Sequence, residues 1–223
     1  MCGRYALYTE TEQWPDSGVV WPLEGGVFWQ SSYNVAPGRS APVVVNLERP
    51  VVSGLQWGLV PHWAKEEKIG NRMINARAET VAEKPAFRSA IRRRRCLVLA
   101  DGFYEWRRQG GRKTPYFIRR RADGGLLCLA GLWESWKRPD GGCLRTFTII
   151  TVEPNELLAP IHDRMPAILP DDARERWLQS DPVQPASLAA LLAPFPSSEL
   201  EAFEVSTLVN NPANDSPQCV APV

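Results

Sequence analysis

The chain has 223 residues, 44% of them hydrophobic and 23% charged, which is enough for one large domain with a real core and is unlike collagen or a disordered segment. No apolar run approaches the ~18 residues that a membrane-spanning helix needs. The net charge of +1 hides an asymmetry, because residues 65–121 carry 17 Lys and Arg against 6 Asp and Glu, whereas residues 150–223 carry 3 against 11.

A basic stretch of this kind is the footprint of a polyanion binder, unless folding mixes the two charge blocks in space. Arginine outnumbers lysine by 21 to 5, which suits planar, bidentate phosphate contacts and equally reflects a base-composition bias. The five cysteines are odd in number, widely spaced and without a CxxC pair, so neither a disulfide framework nor a zinc site is expected. The opening MCGRYALYTE lacks the basic segment, apolar run and cleavage site of a secretory signal, so a cytoplasmic location is expected.

In chain order, β-branched runs predict strands at residues 42–47 and 51–59. A helical segment is predicted at 79–84, followed by Pro85 at a helix start with Phe87 and Ile91 one turn apart. Strands follow at 96–100, 116–120, 126–133 and 144–151, with hairpin turns at Asp123-Gly124-Gly125 and Pro139-Asp140-Gly141-Gly142. The run from Arg92 to Arg95 reads as a solvated helix end or as part of the cationic surface. Helices close the list at 171–179, with Asp171 as cap, and at 186–192, before a Pro-rich C-terminal tail from Pro194. The fold class expected is α+β: a single domain over residues 1–223, with a mostly antiparallel, barrel-like sheet and flanking short helices.

Cys2 follows the initiator methionine, and so small a side chain normally permits the methionine to be removed. An N-terminal cysteine is a 1,2-aminothiol, with an amine of reference pKa ~7.7–8.0 and a thiol of ~8.5 on one residue. The amine can form a Schiff base with an aldehyde and the thiolate can then close a five-membered thiazolidine intramolecularly. Taken alone, position 2 is more often a frayed end. His162, in Ile161-His162-Asp163-Arg164-Met165-Pro166, is either an acid/base or a hydrogen-bonded structural residue. Glu105 stands among aromatics at a strand end, where desolvation raises a carboxyl pKa unless an arginine pairs with it. Asn75 and Arg77, in Asn75-Ala76-Arg77-Ala78-Glu79-Thr80, either grip a sugar and its phosphate or cap a helix.

Taken together, Met1-Cys2-Gly3-Arg4-Tyr5, Tyr33-Asn34-Val35-Ala36-Pro37-Gly38, Trp57-Gly58-Leu59-Val60-Pro61, the Asn75 segment, Asp101-Gly102-Phe103-Tyr104-Glu105-Trp106 and His162-Asp163-Arg164-Met165-Pro166 resemble the SOS response-associated peptidase (SRAP) family in both content and order. Members of that family shield abasic sites in single-stranded DNA. The resemblance implies Cys2 as covalent nucleophile, Asn75 as the residue positioning the sugar, and Glu105 and His162 as the acid/base pair. It further implies Arg4, Arg77 and Arg164 as phosphate contacts, with Asn34, Trp63 and Trp106 also against the strand. No metal or other cofactor is implied.

The activity so implied is a thiazolidine crosslink to the abasic site, with weak lyase nicking if the Schiff base lingers, and self-processing at the N-terminus. The partner is single-stranded DNA, with no membrane role, and the protein is expected to be a monomer, cytoplasmic and nucleoid-associated in a bacterium or nuclear in a eukaryote. Two rival readings stand beside it. A thiol peptidase would use Cys2, His162 and Asn75 or Glu105 but leave the terminal amine superfluous, and a noncovalent single-strand binder would leave Cys2, Glu105 and His162 without a purpose.

Overall fold

The computed structural model describes residues 2–14, 21–25, 29–121 and 125–223. Their strands, in chain order, are β1 (Tyr5–Leu7), β2 (Ser32–Val35), β3 (Ser40–Val45), β4 (Val51–Trp57), β5 (Asn75–Arg77), β6 (Arg95–Ala100), β7 (Gly102–Gln109), β8 (Arg112–Arg120), β9 (Leu127–Lys137), β10 (Cys143–Val152), β11 (Met165–Pro166) and β12 (Leu200–Glu204). Three four-residue helices accompany them: α1 (Ala90–Arg93), α2 (Arg174–Trp177) and α3 (Pro185–Leu188).

Strands β4, β3, β6, β9 and β10 close into a five-membered barrel, because β10 pairs with both β9 and β4. An odd ring cannot alternate direction all the way round, and the parallel contact falls between β4 and β10 while the other four are antiparallel. Every residue of β6 is buried, as is β3 beyond Ser40, so both faces of these strands are covered and an unbroken apolar run replaces the usual alternation. At Gly131 of β9 a Cβ would lie 2.8 Å from Cys96 Sγ and 2.9 Å from the Thr148 carbonyl oxygen, so only glycine allows β6, β9 and β10 to converge there.

A second, antiparallel sheet runs β12-β8-β7-β1-β2. One face joins the barrel core through Tyr5, Leu7, Phe103 and Ile118, and Tyr104 and Phe117 on the other pack under Val205, Val209 and Cys219 from the C-terminal stretch. Two short strands are annexed to β10: β5 in parallel, with Asn75 opposite Ile149, and β11 antiparallel, with Met165 opposite Val152. The α+β class and the barrel-like sheet are as expected from the sequence.

Several local expectations differ. Residues 79–84 form successive turns, with Glu83 and Lys84 both donating to the Thr80 carbonyl, and regular helix begins only at Ala90. Segment 171–179 splits into a 3-10 turn and α2, and Asp171 caps nothing because its carboxylate bonds Arg174 (2.7 Å) and Arg120 (3.3 Å). Segment 186–192 is α3 followed by a 3-10 turn. The Pro-rich tail is built into the fold, since β12 pairs with β8 along its whole length. The Pro139–Gly142 turn forms with Gly141 at φ +89°, whereas residues 123 and 124 of the other expected turn lie outside the described residues.

The charge blocks do mix. Arg119 meets Glu201 at 2.6 Å, and Arg112 meets Glu204 at 3.4 Å across the β8–β12 pairing. Nor is the arginine run a uniform solvated end. Arg95 is fully buried and donates to the carbonyls of Ile91, Arg92, Trp177 and Gln179, which ties the ends of α1 and α2 together. Burial without a carboxylate lowers its pKa to about 10.

Candidate active site

The residues leading into β1 lie inside the second sheet, between β7 and β2, where the Tyr104 N–H donates to the Arg4 carbonyl at 3.0 Å. Cys2 is therefore wholly buried rather than frayed. Across the gap between the sheets, β5 presents Asn75, whose Nδ2 donates to the Cys2 carbonyl at 2.8 Å. Asn75 Oδ1 is buried and has no hydrogen-bond partner among the described residues, so the amide has an acceptor left to offer. Strand β5 is only three residues long and owes its place to the parallel edge that β10 offers from Ile149 to Thr151.

Glu105 lies in the middle of β7 rather than at a strand end, 2% exposed. Burial pushes its carboxyl up to about 7 against the lowering influence of the Trp106 N–H and the chain's amino terminus. The Cys2 thiol is pushed up by burial and, secondarily, by the charge of Glu105, so it is held as a thiol at neutral pH.

His162 Nε2 lies 3.9 Å from Glu105 Oε2. Its Nδ1 accepts the Arg164 backbone N–H at 3.0 Å, which places the proton of the neutral ring on Nε2, facing Glu105. Exposed Asp163 also approaches Nδ1, at 2.9 Å, and favours the charged ring, but burial dominates and the His162 pKa is lowered. A thiol, a carboxyl that titrates near neutrality, a neutral imidazole and an amide thus share one site. This set can carry a nucleophilic addition with proton transfer in both directions.

A cavity of 540 Å³ opens beside Asn75, lined also by Trp63, Met73, Arg77, Lys84 and Phe87. Trp63 is half exposed at its rim, so the structure brings Asn75, Arg77 and Trp63 to one opening. Trp106, next to Glu105, is half-buried, with its indole N–H on Asn210 Oδ1 at 2.7 Å and Lys113 Nζ 4.8 Å from its ring centroid.

The remaining residues singled out from sequence are engaged within the chain. Arg4 Nη1 donates to Asn34 Oδ1 at 2.6 Å and to the Val209 carbonyl at 2.7 Å. Asn34 is buried, and its Nδ2 donates to the carbonyls of Asn211 and Asn214. Arg164 is nearly buried, in a two-pronged pair with Glu79. Sequence reasoning missed the segment from Val209 to Asn214, which braces Arg4, Asn34 and Trp106. The polar cluster Asn210-Asn211-Pro212 inside a Pro-rich stretch was the available signal.

Among the described residues no group of three or more His, Cys, Asp or Glu is placed to hold a metal ion, and no helix is long and apolar enough to cross a membrane.

Comparison with known proteins places the chain. The profile of the SOS response associated peptidase (SRAP) family matches residues 1–212. Abasic site processing protein YoqW of Bacillus subtilis (strain 168) is 43% identical over 222 residues, covering 99% of both chains. Abasic site processing protein HMCES of Xenopus tropicalis is 33% identical over 265 residues, covering 100% of this chain and 78% of that one. The X-ray structure of a protein from Bacteroides thetaiotaomicron superposes with a TM-score of 0.88 at 29% identity, over 100% of both chains. With the family profile matching residues 1–212 and YoqW matched over 99% of both chains, the chain belongs to the SOS response associated peptidase (SRAP) family.

Proposed function

We propose that this protein recognises abasic sites in single-stranded DNA and captures them covalently, as a thiazolidine, through Cys2 once Met1 has been removed. The observation that carries this reading is the hold on Cys2, with its carbonyl on Asn75 Nδ2 and the Glu105 carboxyl, of pKa about 7, close enough for its charge to bear on the thiol. A peptidase would leave the terminal amine of a processed Cys2 without a use. An imine-forming site instead needs a group that gives and takes protons near pH 7.

An abasic sugar rests mainly as a closed hemiacetal, and His162 assists its opening by moving a proton between the ring oxygen and the C1′ hydroxyl. The Cys2 amine then adds to the C1′ aldehyde. Glu105 protonates the carbinolamine hydroxyl, water leaves, and an imine forms. The thiol adds across the C=N bond, its proton passing by way of Glu105 to the nitrogen, and the thiazolidine results without oxidant or reductant. Asn75 Oδ1 is available to hold a sugar hydroxyl during these steps. An imine that fails to close loses the 3′ phosphate by β-elimination, giving a weak lyase side reaction. Arg77, Trp63 and Trp106 take the flanking strand by phosphate pairing and base stacking.

The test is intact mass after mixing with abasic single-stranded DNA in the absence of reductant. A stable adduct that disappears in Cys2→Ala, with noncovalent strand binding retained, is the expected result. An equal adduct in Cys2→Ala would assign the chemistry to another nucleophile.

A further inference from the structure

The candidate nucleophile, its carboxyl partner, its imidazole and its amide come from four segments far apart in sequence, and one ion pair joins two of them. Glu79 lies four residues after Asn75, just beyond the end of β5. Its carboxylate takes both prongs of the Arg164 guanidinium, Oε1 from Nη1 at 2.8 Å and Oε2 from Nη2 at 3.0 Å. Arg164 Nη2 also donates to the Thr151 carbonyl at 2.6 Å, and that same carbonyl accepts the Ala78 N–H at 2.9 Å. Thr151 faces Arg77 of β5 on one side and Pro166 of β11 on the other. The guanidinium therefore pins the end of β5, the end of β10 and the start of β11 to one another.

The backbone N–H of this same Arg164 is the donor that occupies His162 Nδ1. Because the side chain of Arg164 is held in a two-pronged grip, its backbone and the ring two residues earlier are held too. We infer that Glu79 is a positioning residue for the reaction, since through Arg164 it fixes the turn that aims His162 Nε2 at Glu105 and keeps that turn in register with the strand that carries Asn75. A planar fork on a carboxylate fixes orientation as well as distance, which a single-point contact does not. Both Nη atoms of Arg164 are taken up within the chain, by Glu79 and the Thr151 carbonyl, so its place here is structural and Glu79 is the residue that aims it.

The inference rests on the proposed capture chemistry for its kinetic arm alone. The chain has only two histidines, so the ring nitrogens of His162 are separable by ¹⁵N NMR from those of His62 without extensive assignment. In the unaltered protein at pH 7.5 His162 is expected as the Nε2–H tautomer. In Glu79→Gln, which keeps the size and removes one prong and the charge, the two nitrogens are expected to move toward each other as the tautomers mix. Single-turnover crosslinking to abasic single-stranded DNA is expected to slow about 10-fold at saturating DNA, in keeping with a misaimed rather than a missing acid/base group. Affinity for an intact strand is expected to change less than threefold, and Glu79→Asp to recover part of the rate.

Unchanged His162 nitrogen shifts in Glu79→Gln would overturn the proposal whatever the kinetics show, and so would a rate lost wholly through weaker strand binding. If Glu79→Gln does not fold, Arg164→Lys, which keeps the charge and loses the fork, carries the same two measurements with the same expected and contrary outcomes. Absence of any adduct in the unaltered protein would remove the capture chemistry and leave the NMR arm to decide the role of Glu79.

Discussion

Each of the two histidines sits against a buried glutamate on a long strand, and the two pairs do opposite things. Glu134 on β9 is 3% exposed and accepts from Arg94 Nη2 at 2.9 Å and from the Ser135 N–H at 3.0 Å, with His62 Nδ1 at 3.3 Å. Together with the bond from Trp136 Nε1 to the Ala64 carbonyl, this cluster braces the turn that holds up Trp63. Glu105 on β7 is equally buried, but burial outweighs its favourable contacts and leaves the carboxyl titrating at about 7. A guanidinium at bonding distance makes a buried carboxylate a strut. Where desolvation dominates, the same side chain becomes able to exchange a proton under ordinary conditions.

The comparison breaks most visibly at Glu105→Gln, which should slow crosslinking about 10³-fold, within the span for one essential acid/base group. Quench-flow with abasic single-stranded DNA measures it, and a loss under threefold would equate Glu105 with Glu134. The same substitution should alter stability in a pH-dependent way. The folded protein keeps the Glu105 proton up to about pH 7, whereas an unfolded carboxyl releases it near 4.5, so stability falls as pH rises across that window and the loss is complete above it. At ~1.36 kcal/mol for each tenfold difference in proton affinity between the folded and unfolded carboxyl, the full loss is up to ~3 kcal/mol. Urea unfolding at pH 4.5, 6 and 8 should show this decline in the unaltered protein and not in Glu105→Gln.

His162→Ala should slow adduct formation by about 10²-fold without lowering the final yield, because abasic sugars also open unaided. His62→Ala should leave the rate within twofold, and equal losses would dissolve the distinction between the two rings. Glu134→Gln should act on stability rather than on rate, with a loss of about 2 kcal/mol, below the ~3–5 kcal/mol of a wholly buried broken pair because Arg94 is partly exposed. Its crosslinking rate at saturating DNA should stay within about threefold of the unaltered value.

The barrel was legible in the sequence because its strands are long β-branched runs, and 42–47, 51–59, 96–100, 126–133 and 144–151 all find their strands with small shifts of boundary. The strands that build the site were not. The three residues of β5 and the two of β11 have no pattern of their own and exist because β10 offers them an edge. Strand β7 opens with a glycine and ends in arginines, so Glu105 read as a strand end. The candidate residues themselves were found as motifs, yet which of them meet depends on pairings between strands, and the polar cluster at Asn210–Pro212 marks a segment without telling that it grips Arg4 and Asn34. The basic block was visible as charge, but β12 running beside β8 decides how much of it remains unneutralised.

Arg4 bonds the Val209 carbonyl across 205 positions of sequence, and the same closing segment steadies Asn34 and Trp106. On the ribosome Arg4 and its neighbour Cys2 emerge about 205 residues ahead of this segment. At ~5–20 residues per second, roughly 10–40 s separate the two events. Throughout that interval Arg4, beside Cys2, lacks the carbonyl that anchors it in the finished fold. The fold thus imposes an order of events on synthesis, in which the candidate site is assembled only after this segment has left the ribosome.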